Sequence, residues 1–143
     1  MNSIKRFFVH DVQPADLPRY SRADGEIVVA ETPASVPFPI ARMFTLRGPS
    51  GGERGKHAHY LCSQFMLCVN GSIDIVCDDS AAIKTFALDR GDAGLVVPPT
   101  IWNTVLFRKP DSVLVVLCDR RYEEADYIRE YDDFLAWRKA SQP

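Results

Sequence analysis

The sequence has no excess of positive charge, no paired-cysteine motif and no apolar run long enough to cross a bilayer. Against 17 Lys and Arg stand 19 Asp and Glu, a formal net charge of −2. The basic field that grips a nucleic-acid backbone is therefore missing. The longest apolar stretches, such as Val113 to Cys118, are strand-length and fall well short of the ~20 residues of a spanning helix. Met1 to Arg6 leads into Phe7-Phe8-Val9-His10 with no apolar secretory segment, and the expected location is cytoplasmic. Cys62, Cys68, Cys77 and Cys118 show neither CxxC spacing nor the density of a disulfide scaffold. Three of them fall inside apolar runs, where a free thiol behaves as a small hydrophobe. Internal repeats, low-complexity tracts and linkers are lacking too.

What is present suits one core. The 143 residues are 46% hydrophobic and 25% charged, and a chain of this size buries roughly 70% of its unfolded surface without needing a metal or disulfide staple. Strand-length segments follow one another at short spacing: Glu26–Ala30, Ile40–Leu46, His57–Leu61, Phe65–Asn70, Ser72–Cys77, Ile83–Leu88, Ala93–Val97, Thr104–Phe107 and Val113–Cys118. Turn residues separate them, and Asn70-Gly71 reads as a two-residue hairpin. The Pro-rich stretch 32–39 reads as an extended connection. From Glu123 to Lys139 apolar residues recur at roughly helical spacing among charges. The expectation is an all-β sandwich or barrel over about 26–118 with a short helical tail over about 122–139, in one domain spanning 1–143.

The chemistry concentrates between Gly51 and Gly71. Gly51, five residues, His57-Ala58-His59, four residues, Gln64, six residues and Gly71 resemble the first motif of the cupin barrels, with Gln64 in place of a glutamate. In the second motif six residues separate Gly91 from Pro98, Thr100 replaces a glycine, and Asn103 occupies the histidine position. Cupin metal centres take three imidazoles and a carboxylate, and amides in two of these four places hold a divalent ion poorly. No metal and no cofactor are expected. His57 and His59, two apart on a strand, share a face, and an imidazole pair suits proton transfer near neutrality.

A narrower resemblance covers roughly Ile40 to Trp137. Arg54-Gly-Lys-His-Ala-His59, Asn70-Gly-Ser72, Asp78-Asp79, Gly94-Leu-Val-Val-Pro-Pro99 with Trp102, and Tyr122 through Phe134 look like the cupin-type nucleotide-sugar 3,4-ketoisomerases. That family implies an isomerase acting on a dTDP-linked 4-keto-6-deoxy sugar, in the supply of amino-deoxysugars of the lipopolysaccharide kind, and a homodimer. It implies His57 and His59 as the catalytic pair, with Arg42, Arg54, Gln64, Trp102 and Asn103 toward substrate. Arg54 is expected on the diphosphate, and Arg42, Gln64 and Asn103 near the enediolate. His59, further from the Gly-rich loop, is expected deeper in the barrel and is favoured as the group acting on carbon. The tail residues Tyr122, Asp126, Tyr127 and Arg129 are expected mainly to pack against the barrel. Phe44 stands where the family has a tyrosine. Two rival readings remain open: a 3,5-epimerase and a non-catalytic sugar-binding cupin.

Overall fold

Alternating apolar segments become β-strands in the computed structural model, which describes residues 3–140. They are β1 (Gln13–Asp16), β2 (Arg19–Arg22), β3 (Gly25–Val28), β4 (Arg42–Arg47), β5 (Glu53–His59), β6 (Gln64–Asn70), β7 (Ile73–Asp78), β8 (Ile83–Leu88), β9 (Ala93–Val97), β10 (Trp102–Phe107), β11 (Val113–Cys118) and β12 (Tyr127–Ile128). A single turn of 3₁₀ helix, Glu124–Asp126, precedes β12, and α1 (Tyr131–Ala140) follows it.

Two five-stranded sheets face each other. One has the order β1-β9-β6-β11-β4, the other β12-β5-β10-β7-β8, and β2-β3 form a separate ribbon. From β4 onward the chain passes repeatedly from one sheet to the other, and all pairings are antiparallel. This is the jelly-roll form of the cupin barrel. Ile73 and Ile75 from one sheet meet Leu95, Leu114 and Val116 from the other in the dry interior. Full burial of each such side chain is worth roughly 1.5–3 kcal/mol.

Three expectations change in detail. The first sheet recruits residues 13–16 at its edge, upstream of the barrel start read at about 26. Pro14 is tolerated there because an edge strand can spare an N–H. Asn70-Gly71 does not close a hairpin: β6 and β7 lie in different sheets, so the glycine turns a corner between them. Gly71 has φ +83°, and a Cβ on it would overlap the Ser112 hydroxyl. The tail, read as helical from about 122, is a 3₁₀ turn and a two-residue strand before α1 begins at Tyr131.

That helix caps the outer face of the second sheet. Asp132 and Asp133 lie in its first turn and Arg138 and Lys139 in its last, the sense that favours the helix dipole. Phe134 is fully buried with Ala58, Trp102 and Ile128. The buried Arg138 donates to the backbone carbonyls of Phe7 (2.7 Å) and Thr100 (2.9 Å), tying the N-terminal segment to the barrel.

Candidate active site

A cavity of about 600 Å³ opens between the sheets. β4 contributes Arg42, Phe44 and Leu46, whose alternation places them on the inner face. β6 adds Gln64 and Met66, β10 adds Asn103 and Val105, and Tyr122, Tyr127 and Arg129 close one side from the tail.

β5 carries the decisive irregularity. Asn103 pairs with His57 and the next residue, Thr104, pairs with Gly55, so Lys56 is an extra residue. Gly55 (φ +81°) and Lys56 (φ 59°) both adopt left-handed backbone at this β-bulge, and a left-handed glycine is the mark of one bulge type. A regular strand would point residues three apart to opposite faces. With the bulge, Arg54 lies opposite the core residue Val105 while His57 lies opposite Asn103, and both reach the inner face because cross-strand partners share a side. The left-handed backbone suits Gly55, where a Cβ would also meet the Asn103 carbonyl at 3.1 Å.

The two histidines occupy different depths. His57 lines the cavity, whereas His59 is 3% exposed and stands behind it, the two rings edge-to-face with centroids 5.0 Å apart. Burial, then the neighbouring His59, push His57 down to about 4, with Arg129 and Arg42 acting the same way against a hydrogen bond to the Gly55 backbone. His57 is neutral at pH 7. His59 Nδ1 is 3.0 Å from Asp126 Oδ2. That carboxylate also accepts the backbone N–H groups of Leu61 (2.7 Å) and Cys62 (3.2 Å). Burial pushes the Asp126 carboxyl up, but the bond from His59 and these two N–H groups outweigh it, and the group stays ionised. An ionised Asp126 draws a proton to His59 Nδ1. His59 Nε2 is buried with no partner.

Tyr127 bridges the pair and the cations. Its ring centroid is 4.3 Å from that of His59 and 5.1 Å from that of His57. Arg42 donates to its hydroxyl at 3.2 Å, and the Arg129 guanidinium lies over its ring at 4.1 Å. Glu124 accepts two bonds from Arg129, at 2.6 and 2.8 Å, and one from Tyr122.

Of the residues singled out in the sequence, Arg42, Arg54, His57, Gln64 and Asn103 come together around the cavity, with His59 directly behind. Trp102 does not join them. It points to the outer face of β10 and packs against Tyr131 (5.2 Å between centroids) and Phe134 (5.6 Å). Period two already forbids Trp102 and Asn103 from sharing a face. Asp126 and Tyr127 were missed as site residues because nothing in a short tail segment signals that it folds back onto β5, where Tyr127 pairs with His59.

The donor set does not fit the metal of other cupins. Gln64 and Asn103 are buried amides, and His59 Nδ1 is engaged by Asp126. His59, Cys62 and Asp126 do bring ligand atoms within 4.8 Å of one another, but this is a different triad, with Asp126 already accepting three bonds.

Barrel, paired imidazoles and a cavity with Arg42, Arg54 and Arg129 on its wall define a cupin built for an anionic small molecule. Comparison with known proteins narrows this. A family model described as FdtA, WxcM-like, C-terminal, matches residues 10–139. A TDP-4-oxo-6-deoxy-alpha-D-glucose-3,4-oxoisomerase of Aneurinibacillus thermoaerophilus is 38% identical over 111 residues, 77% of this chain and 80% of the relative. The 3,4-ketoisomerase QdtA of Thermoanaerobacterium thermosaccharolyticum, solved as a His-to-Asn mutant with TDP-4-keto-6-deoxyglucose, has a TM-score of 0.87 at 26% identity. The match covers 93% of this chain and 97% of that one. A 3,4-ketoisomerase from Helicobacter canadensis gives 0.86 at 28% identity, covering 90% and 98%. The chain belongs to the FdtA family.

Proposed function

We propose that this protein is a TDP-4-keto-6-deoxyhexose 3,4-ketoisomerase that works by histidine-mediated proton transfer without a metal. The observation that carries the reading is a neutral imidazole, His57, on the wall of a cavity that also holds a phenol–guanidinium pair, Tyr127 and Arg42. Relatives that bind or act on TDP-linked 4-keto-6-deoxyglucose supply the substrate class.

His57 takes the C3 proton as the electrons of that C–H bond form the C3–C4 double bond and the C4 carbonyl becomes an enolate oxygen. An imidazolium beside an enolate is a charge pair, so the basicity of His57, weakened by burial and by His59, rises as the enolate forms. Arg42 and the Tyr127 hydroxyl stabilise the oxygen charge. The O3 proton then passes to O4, with Tyr127 as relay, and the C3 oxygen becomes the enolate. His57 returns its proton to C4, leaving a C3 ketone and a C4 hydroxyl. This assignment departs from the preference for His59 as the group acting on carbon: its depth removes it from the cavity wall, and we give it, held by Asp126, the role of positioning the Tyr127 ring. Arg54 grips the diphosphate through its planar pair of donors.

Incubation with TDP-4-keto-6-deoxyglucose followed by ¹³C NMR tests the reaction. The account expects the carbonyl resonance to move from C4 to C3. A ketone that stays at C4 while C5 inverts identifies a 3,5-epimerase instead.

We further propose a homodimer in the cytoplasm. Tyr20 and Ile27 on the β2-β3 ribbon and Met43 on edge strand β4 are exposed apolar side chains, and the Pro-rich stretch 32–39 connects these two elements. The four free thiols suit a reducing compartment. Light scattering should give twice the monomer mass; a monomer at micromolar concentration would refute the pairing.

A further inference from the structure

Arg42, Arg54, Lys56 and Arg129 all line the cavity. Two of them are held by carboxylates: Lys56 by Glu53 at 2.8 Å, and Arg129 by Glu124 through bonds of 2.6 and 2.8 Å to its two oxygens. Arg42 and Arg54 form no ion pair among the described residues. The place of Arg129 is set by the folded-back tail. Tyr127 lies opposite His59 and Ile128 opposite Ala58, and one further step along that antiparallel register brings Arg129 beside His57. Arg129 accordingly acts on His57 as a nearby positive charge. Its guanidinium covers the Tyr127 ring at 4.1 Å, and the side chains of Arg129 and Glu124 are 50% and 60% exposed.

A sugar nucleotide carries a negative charge on each of its two phosphates. A single ring carbon separates C1, which bears the diphosphate, from C3. A sugar whose C3 faces His57 therefore brings its nearer phosphate along the same stretch of wall. Arg54 answers one charge, while Arg42 is engaged by the Tyr127 hydroxyl. Arg129 is the arginine left for the other charge, and Glu124 already presents it with the paired oxygens that a phosphate offers. We infer that Glu124 stands in for the sugar-proximal phosphate: it holds Arg129 beside His57 until the diphosphate takes its place. The exchange costs the protein little. Exposed ion pairs are weak, and Glu124 keeps the Tyr122 hydroxyl as a donor once Arg129 has turned to the ligand. Arg129, then Tyr122, hold the Glu124 carboxyl down to about 2, so near neutrality it is a full anion and competes with the phosphate. The inference rests on the nucleotide-sugar reading of the cavity.

Isothermal titration calorimetry with TDP tests it. Glu124→Gln should tighten binding ~2–5-fold, the worth of an exposed ion pair that no longer has to be broken. Arg129→Met should weaken binding about tenfold, as the loss of a charge-assisted contact does. In the double variant the gain from Glu124→Gln should vanish, because the competitor has nothing left to hold. Thymidine monophosphate, which lacks the sugar-proximal phosphate, should be less sensitive to Arg129→Met than TDP is. Weaker TDP binding by Glu124→Gln would make Glu124 a brace for Arg129 and overturn the exchange. A gain that persists in the double variant would be simple repulsion by the Glu124 charge, and overturns it too. An unaltered Kd in Arg129→Met, or an equal loss for the monophosphate, removes Arg129 from that phosphate. Both side chains are at least half exposed, so these substitutions leave the core intact. A wild-type protein that does not bind TDP contradicts the nucleotide-sugar reading itself, whereas TDP binding indifferent to Arg129→Met overturns this inference alone.

Discussion

In the proposed mechanism His57 and Arg54 carry the proton and the diphosphate, and His57 also bears on stability. In the unfolded chain His57 has its ordinary value of 6.5, and in the barrel it is held near 4. Between these values the unfolded chain carries a proton that the folded chain does not, so stability is lost as pH falls from 6.5 toward 4. The loss is at most about 3 kcal/mol. His57→Asn should flatten the urea midpoint over that window; an unchanged slope would show that His57 is not the group titrating there. Arg54→Ala removes a charge-assisted grip worth roughly 1.5–3 kcal/mol, so KM should rise ~10–100-fold with kcat little changed. An unaltered KM in steady-state kinetics would place Arg54 outside the site. Arg54 was legible in the sequence as a residue, but its aim was not. By period two it points away from His57, and only the bulge at Lys56, forced by two left-handed residues, turns it inward. Trp102 shows the opposite error: its neighbour Asn103 already occupied the inner face, and the aromatic belonged to the packing beneath α1.

At the level of elements, the strands from β7 to β11 were readable because apolar runs of strand length lie between turn residues, and β10 and β11 also alternate in burial. β1, β2 and β12 were not. All three are short, and β1 and β2 are mostly exposed; the pairing of β1 and β12 is decided by the sheet edges they cover rather than by their own pattern. The segment after β11 illustrates what this conceals. Its charges and aromatics read as packing, yet Asp126 holds His59 and Tyr127 lies against both imidazoles because the segment folds onto the end of β5. Asn70-Gly71 marked a turn correctly and its partner strand wrongly, since a local signal cannot say which sheet comes next. The corner is tight. Gly71→Ala must hold a left-handed backbone, worth about 1–2 kcal/mol, and also displace Ser112, whose Cα would be 2.8 Å from the new Cβ. A loss of at least about 2 kcal/mol in chemical denaturation is expected; a loss under 0.5 would mean that the corner relaxes freely.

At the scale of the whole molecule, a barrel shared with metal-dependent proteins carries a site whose donors no longer suit a metal. Two amides replace anionic or imidazole ligands, and one of them, Gln64, donates to a cysteine sulfur. What remains is a cavity whose wall carries an imidazole, a phenol and several arginines, to which the proposed mechanism assigns carbon, oxygen and diphosphate respectively. The fold alone did not dictate this chemistry. It follows from which side chains the bulge and the folded-back tail bring to one wall. The most direct test follows TDP-4-keto-6-deoxyglucose by ¹H NMR in D₂O with chelator-treated wild-type, His57→Asn and His59→Asn proteins. The account predicts that the wild type moves the ketone to C3 with no deuterium entering C5. His57→Asn should lose ~10²–10⁴-fold in the rate of C3–H removal while still binding TDP, and His59→Asn should lose less. Isomerisation by His57→Asn at the wild-type rate, or wild-type activity that disappears on chelation and returns with a divalent metal, would contradict it.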